Sequence, residues 1–490
     1  MRRIVILSLL LGGCTVGPNY RPPEAKAPAA FAEPQAQMGD PVDLAQWWTS
    51  FRDPVLDDLV ARAMAHSPDI YTAASRVRQA RLQEVIAGAA NKPTLDATAG
   101  ATHIELSKNA GFSSLIQQFS GGGGSTGGGS GGSGGAPAGI TTPGSGITTY
   151  SLGFDASWEI DLFGGGRRQV EAARARTGAA VWNERDAAVT LASEVASTYF
   201  QLRLDQLQIA VLKDELVRQN RALEISGNTA RAGLVPQNDV TRQRASITDI
   251  EARMAPIQAD ATVQVHALAV LLGTSPEGFA VASGDSTTHV PQIPAGLPSD
   301  LIRRRPDVRA AERNLAAATA DIGVATADLY PRFTLTGMAQ LISSALGNLF
   351  TGDSVQLTAS GQAMFPILDW GRRRSTVKLR REDAEQAYQQ WRTAVLGAYR
   401  DVEDALSRLA AERRRNATLA RAVNDRLESA TALEARYKTG FVAQDQLLQA
   451  EIDVLAAREQ QASSDAQLRR YTVALFKALG GGWREGEPAQ

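Results

Sequence analysis

Few residues in this chain could do chemistry. Its 490 residues include one cysteine and four histidines. A single cysteine closes no disulfide within the chain, and no Cys/His cluster offers a zinc site. No nucleophile–base pair, phosphate loop or metal constellation stands out, so the residues argue against an enzyme and call for no cofactor. Gly164-Gly165-Gly166 reads as a strand-to-helix junction rather than a nucleotide fingerprint. Lysine and arginine total 51 against 52 aspartates and glutamates, so no overall field points to nucleic acid. The one thiol is defined by its position. Met1-Arg2-Arg3 is basic, Ile4 to Leu11 is apolar, and Gly12-Gly13 precede Cys14. Residues 1–13 are therefore a secretory signal, too short to span a membrane.

The chain is also written twice, and repeats set the architecture. Pro68-Asp69-Ile70 recurs as Pro306-Asp307-Val308 and Pro93 recurs as Pro331, both shifted by 238 positions (306 − 68, 331 − 93). Gly233 recurs as Gly440 and Gly273 as Gly480, both shifted by 207 (440 − 233, 480 − 273). The smaller second shift places an insert in the first copy, where the glycine/serine tract Gly121 to Gly135 sits. After the signal comes an extended, Pro/Ala-rich arm, 14–52. The first repeat covers 53–280, with a strand hairpin at about 94–161, a Gly/Ser-rich external loop at about 107–147 and helices at about 166–273. An equatorial linker, 281–298, leads to the second repeat, 299–480. Its hairpin is expected at about 332–367 and its helices at about 372–479. A tail, 481–490, ends the chain. The Gly/Ser loop is flexible by composition.

The elements follow from periodicity. Tyr150, Leu152, Phe154, Ala156, Trp158 and Ile160 alternate with Ser151, Gly153, Asp155, Ser157, Glu159 and Asp161. Leu95 to Ala101, Phe333 to Leu341 and Val355 to Phe365 alternate in the same way. Period two marks strands with one apolar and one polar face. Each run is about long enough to cross a membrane as a tilted strand. A single such strand would read as part of a soluble sheet; two hairpins in an exported chain read as a membrane barrel. Tyr150 and Trp158, near strand ends, suit an interfacial aromatic girdle. Each hairpin runs into a helical pattern of about 65 residues, roughly Gly166 to Ala230 and Arg372 to Lys438, about 100 Å long. Shorter helices precede the hairpins and return after the long ones, and a short and a returning helix could stack end to end beside each long one.

Four strands cannot close a barrel, and open edges are not tolerated in lipid. Two chains would give a barrel filled by its own side chains, whereas three give room for water. The physical expectation is an α+β membrane protein: a homotrimer with a 12-stranded outer-membrane β-barrel, continuous with a 12-helix α-barrel.

Leu11-Gly12-Gly13-Cys14 resembles a bacterial lipobox, which implies that Cys14 becomes the lipidated first residue. Thr15 after it implies delivery to the outer membrane. More widely, the chain resembles the outer-membrane efflux factors, the exit channels of tripartite pumps. The likeness lies at Cys14-Thr15-Val16-Gly17-Pro18-Asn19-Tyr20, at Trp47-Trp48 with Asp53-Pro54, at Leu297-Pro298-Ser299-Asp300-Leu301-Ile302-Arg303-Arg304-Arg305-Pro306-Asp307, and at Pro366-Ile367-Leu368-Asp369-Trp370-Gly371-Arg372-Arg373. It implies a lipid-anchored trimer projecting into the periplasm, whose partners are a periplasmic adaptor, an inner-membrane pump and outer-membrane lipid.

The resemblance also implies a gate at the periplasmic helix turns, here Ala230 to Val240 and Tyr437 to Leu448. Gly233 and Gly440 suit the left-handed caps that end the long helices. Arg436 and Tyr437 match tip residues that lock the closed state. Asp445 and Asp239 form a candidate acidic constriction, since like charges gathered on a symmetry axis can bind cations. Gln449 stands where many members carry a constricting aspartate, and Asp445 where an apolar constriction is usual. Arg436 and Asp445 read equally as solvated helix charges. Arg167-Arg168 and Arg372-Arg373-Arg374, at the strand-to-helix junctions, suit lipid headgroups or plain surface charge. The competing reading is a lipidated periplasmic adaptor, which also has long helical hairpins but normally only one, flanked by soluble β-domains.

Overall fold

The computed structural model describes residues 15–24, 31, 43–105, 146–282, 289–291 and 304–484. Cys14, the Gly/Ser-rich loop from 106 to 145 and most of the 281–298 linker lie outside the described residues. The described helices are α1 (Pro54–His66), α2 (Pro68–Ala89), α3 (Gly165–Arg231), α4 (Gln237–Leu271), α5 (Pro306–Ala327), α6 (Arg372–Lys438) and α7 (Gln444–Ala478). The repeat is visible in their lengths. Helices α2 and α5 each have 22 residues, α3 and α6 each have 67, and α4 and α7 each have 35. A 67-residue helix is about 100 Å long. Among the described residues no helix is long and apolar enough to cross a membrane.

The chain divides into two compact units that cut across the two repeats. One gathers Val85–Val170, Ala320–Arg380 and the chain up to Pro18. It holds a four-stranded antiparallel sheet in the order β1 (Thr94–Glu105), β2 (Gly146–Ile160), β3 (Arg332–Ser343), β4 (Val355–Met364). The two hairpins therefore join through β2 and β3, and β1 and β4 are open edges. Strand β1 runs on to Glu105 and β2 begins at Gly146, beyond the alternating cores at 95–101 and 150–160.

The other unit is helical. Its core is an aromatic cluster beside long helices: Trp47 stacks on Phe476 with ring centroids 4.9 Å apart, and Phe51 lies 5.0 Å from Phe200. The segment expected to be extended over 14–52 thus ends in a 3-10 helix, Leu44–Phe51, that buries Trp47, Trp48 and Phe51. The Asp43 carboxylate caps it by accepting from the Ala45 N–H at 2.9 Å. Asp53 repeats the device for α1, accepting from Val55 and Leu56, with Pro54 in the first turn. The tail is docked at its start: Gly481 packs on the Leu44 carbonyl, and Trp483 meets Trp182 edge-on at 5.2 Å.

Helix ends meet within this unit. Gly273, just past α4, has φ +70, and a Cβ there would come 2.4 Å from the His66 carbonyl oxygen at the end of α1 and 3.2 Å from Pro68, which starts α2. Gly480, just past α7, also has φ +70 and abuts Arg305 before α5, with the Arg305 Cα 3.1 Å from its Cβ position. Each returning helix is therefore joined end to end to a short one. Arg305 fastens the second joint through Asp307 (2.6 Å), Asp401 on α6 (3.1 Å) and the Ala478 carbonyl (3.3 Å). Ala172, Ala173 and Ala179 are buried along α3, where small side chains let neighbours close in.

Candidate functional site

The sheet has two chemically distinct faces, and its register keeps them coherent. Opposite one another on one face lie Ala97 and Phe154, Leu152 and Leu341, Trp158 and Leu335, Ala339 and Leu357. On the other face Thr98 donates to Asp155 at 3.0 Å, the Thr336 and Ser360 hydroxyls are 2.6 Å apart, and Gln340 donates to Gln356 at 3.4 Å. Strands with this alternation present a lipid-compatible side and a water-compatible side. Trp158 lies on the apolar face near the helical end of β2, and its indole N–H donates to the Asn91 carbonyl at 3.1 Å. Tyr150 is half-buried on the same face near the far end.

At the strand-to-helix junction the structure uses an arginine differently from either sequence expectation. Arg168 is buried. Its Nε donates to the Val16 carbonyl at 3.3 Å and its Nη2 to the Gly17 carbonyl at 3.4 Å. The Val16 N–H donates to the Phe163 carbonyl at 3.1 Å. Gly17, at φ +91, lies against Gly323 so closely that a Cβ would meet its Cα at 2.5 Å. The residues that follow Cys14 are thus clamped to the foot of the sheet. Arg167 pairs with Asp161 at 3.4 Å. Arg168 is therefore not surface charge, whereas Arg167 remains exposed. Within the helical unit the arm goes on, and the Tyr20 hydroxyl donates to Glu312 at 3.0 Å.

A second feature missed in the sequence is a buried polar triad. The Tyr199 hydroxyl donates to Asp53 at 2.7 Å, and Arg203 donates to the Tyr199 oxygen at 2.8 Å and to the Ala282 carbonyl at 2.7 Å. Burial, then the bond to Asp53, push the Tyr199 phenol well above its ordinary range. The sequence signal was faint: Tyr199 sits among apolar neighbours in a helical stripe.

The two far turns share one design. Gly233 (φ +75) and Gly440 (φ +79) close α3 and α6. The Leu234 N–H reaches back to the Thr229 carbonyl and the Phe441 N–H to the Arg436 carbonyl, both at 2.9 Å. Each is a Schellman cap, which left-handed glycine permits. Arg436, Asp445 and Gln449 are exposed, and the Tyr437 ring is 38% exposed. Asp239 is ion-paired to Arg242 at 2.7 Å, and Gln449 donates to Asp453 at 3.0 Å. In the single chain Asp445 is exposed, whereas Asp239 has Arg242 as its ion-pair partner. Among the described residues no group of three or more histidines, cysteines or acids could hold a metal ion.

Comparison with known proteins returns the same duplicated layout. The profile described as "Outer membrane efflux protein" matches residues 59–274 and again 297–481. Its two matches are offset at start and end as the two repeats are. The Nodulation protein T of Rhizobium leguminosarum bv. trifolii is 30% identical over 97% of this chain and 96% of its own. The pyoverdine export outer membrane protein OpmQ of Pseudomonas aeruginosa is 28% identical over 99% of this chain and 98% of its own. Among solved structures, the outer-membrane channel OprN superposes with TM-score 0.81 at 30% identity, covering 96% of this chain and 100% of its own. The open-state MtrE outer membrane channel of Neisseria gonorrhoeae gives 0.80 at 26%, covering 96% and 99%.

Proposed function

The chain belongs to the outer membrane efflux protein family, and from that premise we propose that it is the exit duct of a tripartite efflux system. Three copies close a 12-stranded barrel in the outer membrane, and Cys14 carries the lipid that anchors each one. The helices project into the periplasm, where an adaptor joins them to an inner-membrane pump. Small molecules driven by that pump pass through passively, and the turns at Gly233 and Gly440 are the gated end. The observation that carries the reading is the sheet: one face apolar, one polar, both edges unpaired, in a chain with two 67-residue helices. Open edges cannot persist in lipid, so the unit must be completed by further copies. The clamp on Val16 and Gly17 supports the anchor, because it holds the residues next to Cys14 at the foot of the sheet.

Native mass spectrometry of the detergent-extracted protein tests the assembly. A trimer with one lipid adduct per Cys14 is expected; a monomer without barrel behaviour overturns the reading. At the gate, Asp445→Asn is expected to lower cation preference in single-channel recordings. Unchanged selectivity would remove Asp445 from the constriction and leave it a solvated helix charge.

A further inference from the structure

The apolar face of the sheet is unevenly covered. Small and large side chains alternate along the rung Ala97–Phe154–Ala339–Leu357. Leu152, Leu341 and Val355 form the next rung of that face, further from the helices. The large side chains of the two rungs stand around a depression of about 370 Å³, with an apolar lining in which Ala97 and Ala339 are the small members. An apolar hollow that opens toward hydrocarbon takes a lipid chain rather than water or a polar ligand. We propose that it seats the terminal part of an acyl chain carried by Cys14 of the same chain. This rests on the lipid-anchor reading above and adds where the anchor goes.

Three observations select this occupant. The first is where the described chain begins. Thr15 packs on Gly164, where a Cβ would come 2.9 Å from the Thr15 Cα. The Val16 N–H donates to the Phe163 carbonyl at 3.1 Å, and the Phe163 ring stacks on Tyr330 with centroids 4.6 Å apart. These residues and the whole sheet belong to one compact unit. Cys14 directly precedes Thr15, so its lipid starts at the foot of β2. From there it reaches hydrocarbon only along the apolar face, because the other face carries Thr98, Asp155 and Ser360.

The second is length. Strand β2 ends at Ile160, and Phe154 lies six residues back (160 − 154), about 20 Å along a strand. A tilt of about 40° turns that into about 15 Å of depth. One leaflet is half of a hydrocarbon core about 30 Å thick, and an acyl chain is as long as its leaflet is deep. A chain that starts at the foot therefore ends at the level of Phe154 and Ala339. The third is tethering. A bulk phospholipid must give up its lateral freedom to stay in the hollow. The Cys14 chain has already lost that freedom, because Arg168 donates to the Val16 and Gly17 carbonyls and holds the arm. It competes for the hollow as an intramolecular ligand. The seated tail packs like one more side chain and ties the anchor to its own sheet.

Photo-crosslinking in intact outer membranes tests the seat. Benzoylphenylalanine replaces either Leu357, on the wall of the hollow and 76% exposed, or Leu95, an exposed residue of the same face outside it. After irradiation and digestion, mass spectrometry identifies what each position has captured. The probe at 357 is expected to capture the lipidated Cys14 peptide, roughly tenfold more than the probe at 95 does. Ala339→Phe fills the hollow and is expected to cut that capture to the level seen at 95. Where the phenylalanine prevents folding, Ala97→Leu fills it from the other side. Capture of phospholipid alone at 357, in a protein whose Cys14 peptide carries its lipid, overturns the seat while the anchor stands. Equal capture at 357 and 95, or capture that survives filling of the hollow, reveals a wandering tail and overturns the seat as well. A Cys14 peptide without lipid overturns the anchor reading itself.

Discussion

Replacing Gly273 by alanine tests the joint between α4 and α2, and Gly440→Ala supplies the reference. Both glycines are left-handed, at φ +70 and +79. An L-residue there costs about 1–2 kcal/mol, partly offset by about 0.4–1 kcal/mol because alanine restricts the unfolded chain. At Gly440 that is the whole effect, since a Cβ would meet nothing within 4 Å. A net loss of about 1 kcal/mol is expected there. At Gly273 the Cβ would also sit 2.4 Å from the His66 carbonyl oxygen and 3.2 Å from Pro68. An ordinary contact needs about 1 Å more, and the offending atom is backbone at a helix-to-helix junction, which cannot rotate away. Such overpacking adds about 1–3 kcal/mol, so Gly273→Ala should lose about 2–4 kcal/mol in all. Thermal loss of helicity in detergent micelles would rank the two variants. Hydrogen exchange would localise the damage to the last turn of α4 and the first of α2. Equal losses, or a Gly273→Ala protein with undisturbed exchange at that joint, would refute the end-to-end abutment.

Three other outcomes are expected. Arg168→Ala should free the arm, raising hydrogen exchange at Val16 and Gly17 while the sheet stays protected, and lysine, with no fork to span two carbonyls, should not restore it. Tyr199→Phe should cost about 1–3 kcal/mol, because Asp53 and Arg203 lose a buried partner. The triad also sets a pH limit. Tyr199 titrates higher folded than unfolded, chiefly through burial. The folded state therefore holds its proton after the unfolded state has lost it, and stability should fall as pH rises above about 10, the unfolded phenol value. Comparing chemical denaturation of the wild type and Tyr199→Phe above and below that pH checks the sign; an identical decline in both would clear Tyr199.

What the sequence reveals and what it hides divide along a physical line. Local periodicity is written residue by residue, so the alternation at Tyr150–Ile160 and the paired prolines and glycines were readable, and with them the fold class. The Schellman glycines were readable too, because only a residue without a Cβ is at ease at φ +75. Arg168 was hidden because its role depends on Val16 and Gly17, far away in the chain, and a basic pair at a junction looks the same whether solvated or buried. Its repeat counterpart is Ser375, but exposed positions differ freely between copies, so that difference did not reveal burial. Tyr199 was hidden by a different rule. A tyrosine on an apolar helical stripe counts as core until the partner for its hydroxyl is known, and Asp53 already had a reading as a helix cap. In the structure one Asp53 oxygen caps α1 and the other binds Tyr199, so a single carboxylate both starts a helix and ties it to α3. The turn residues are hidden most deeply. Asp239 already has Arg242, whereas Asp445 and Arg436 point out of the single chain. An exposed charge at a helix turn reads alike in the sequence whatever it later meets, so their spacing carried no signal.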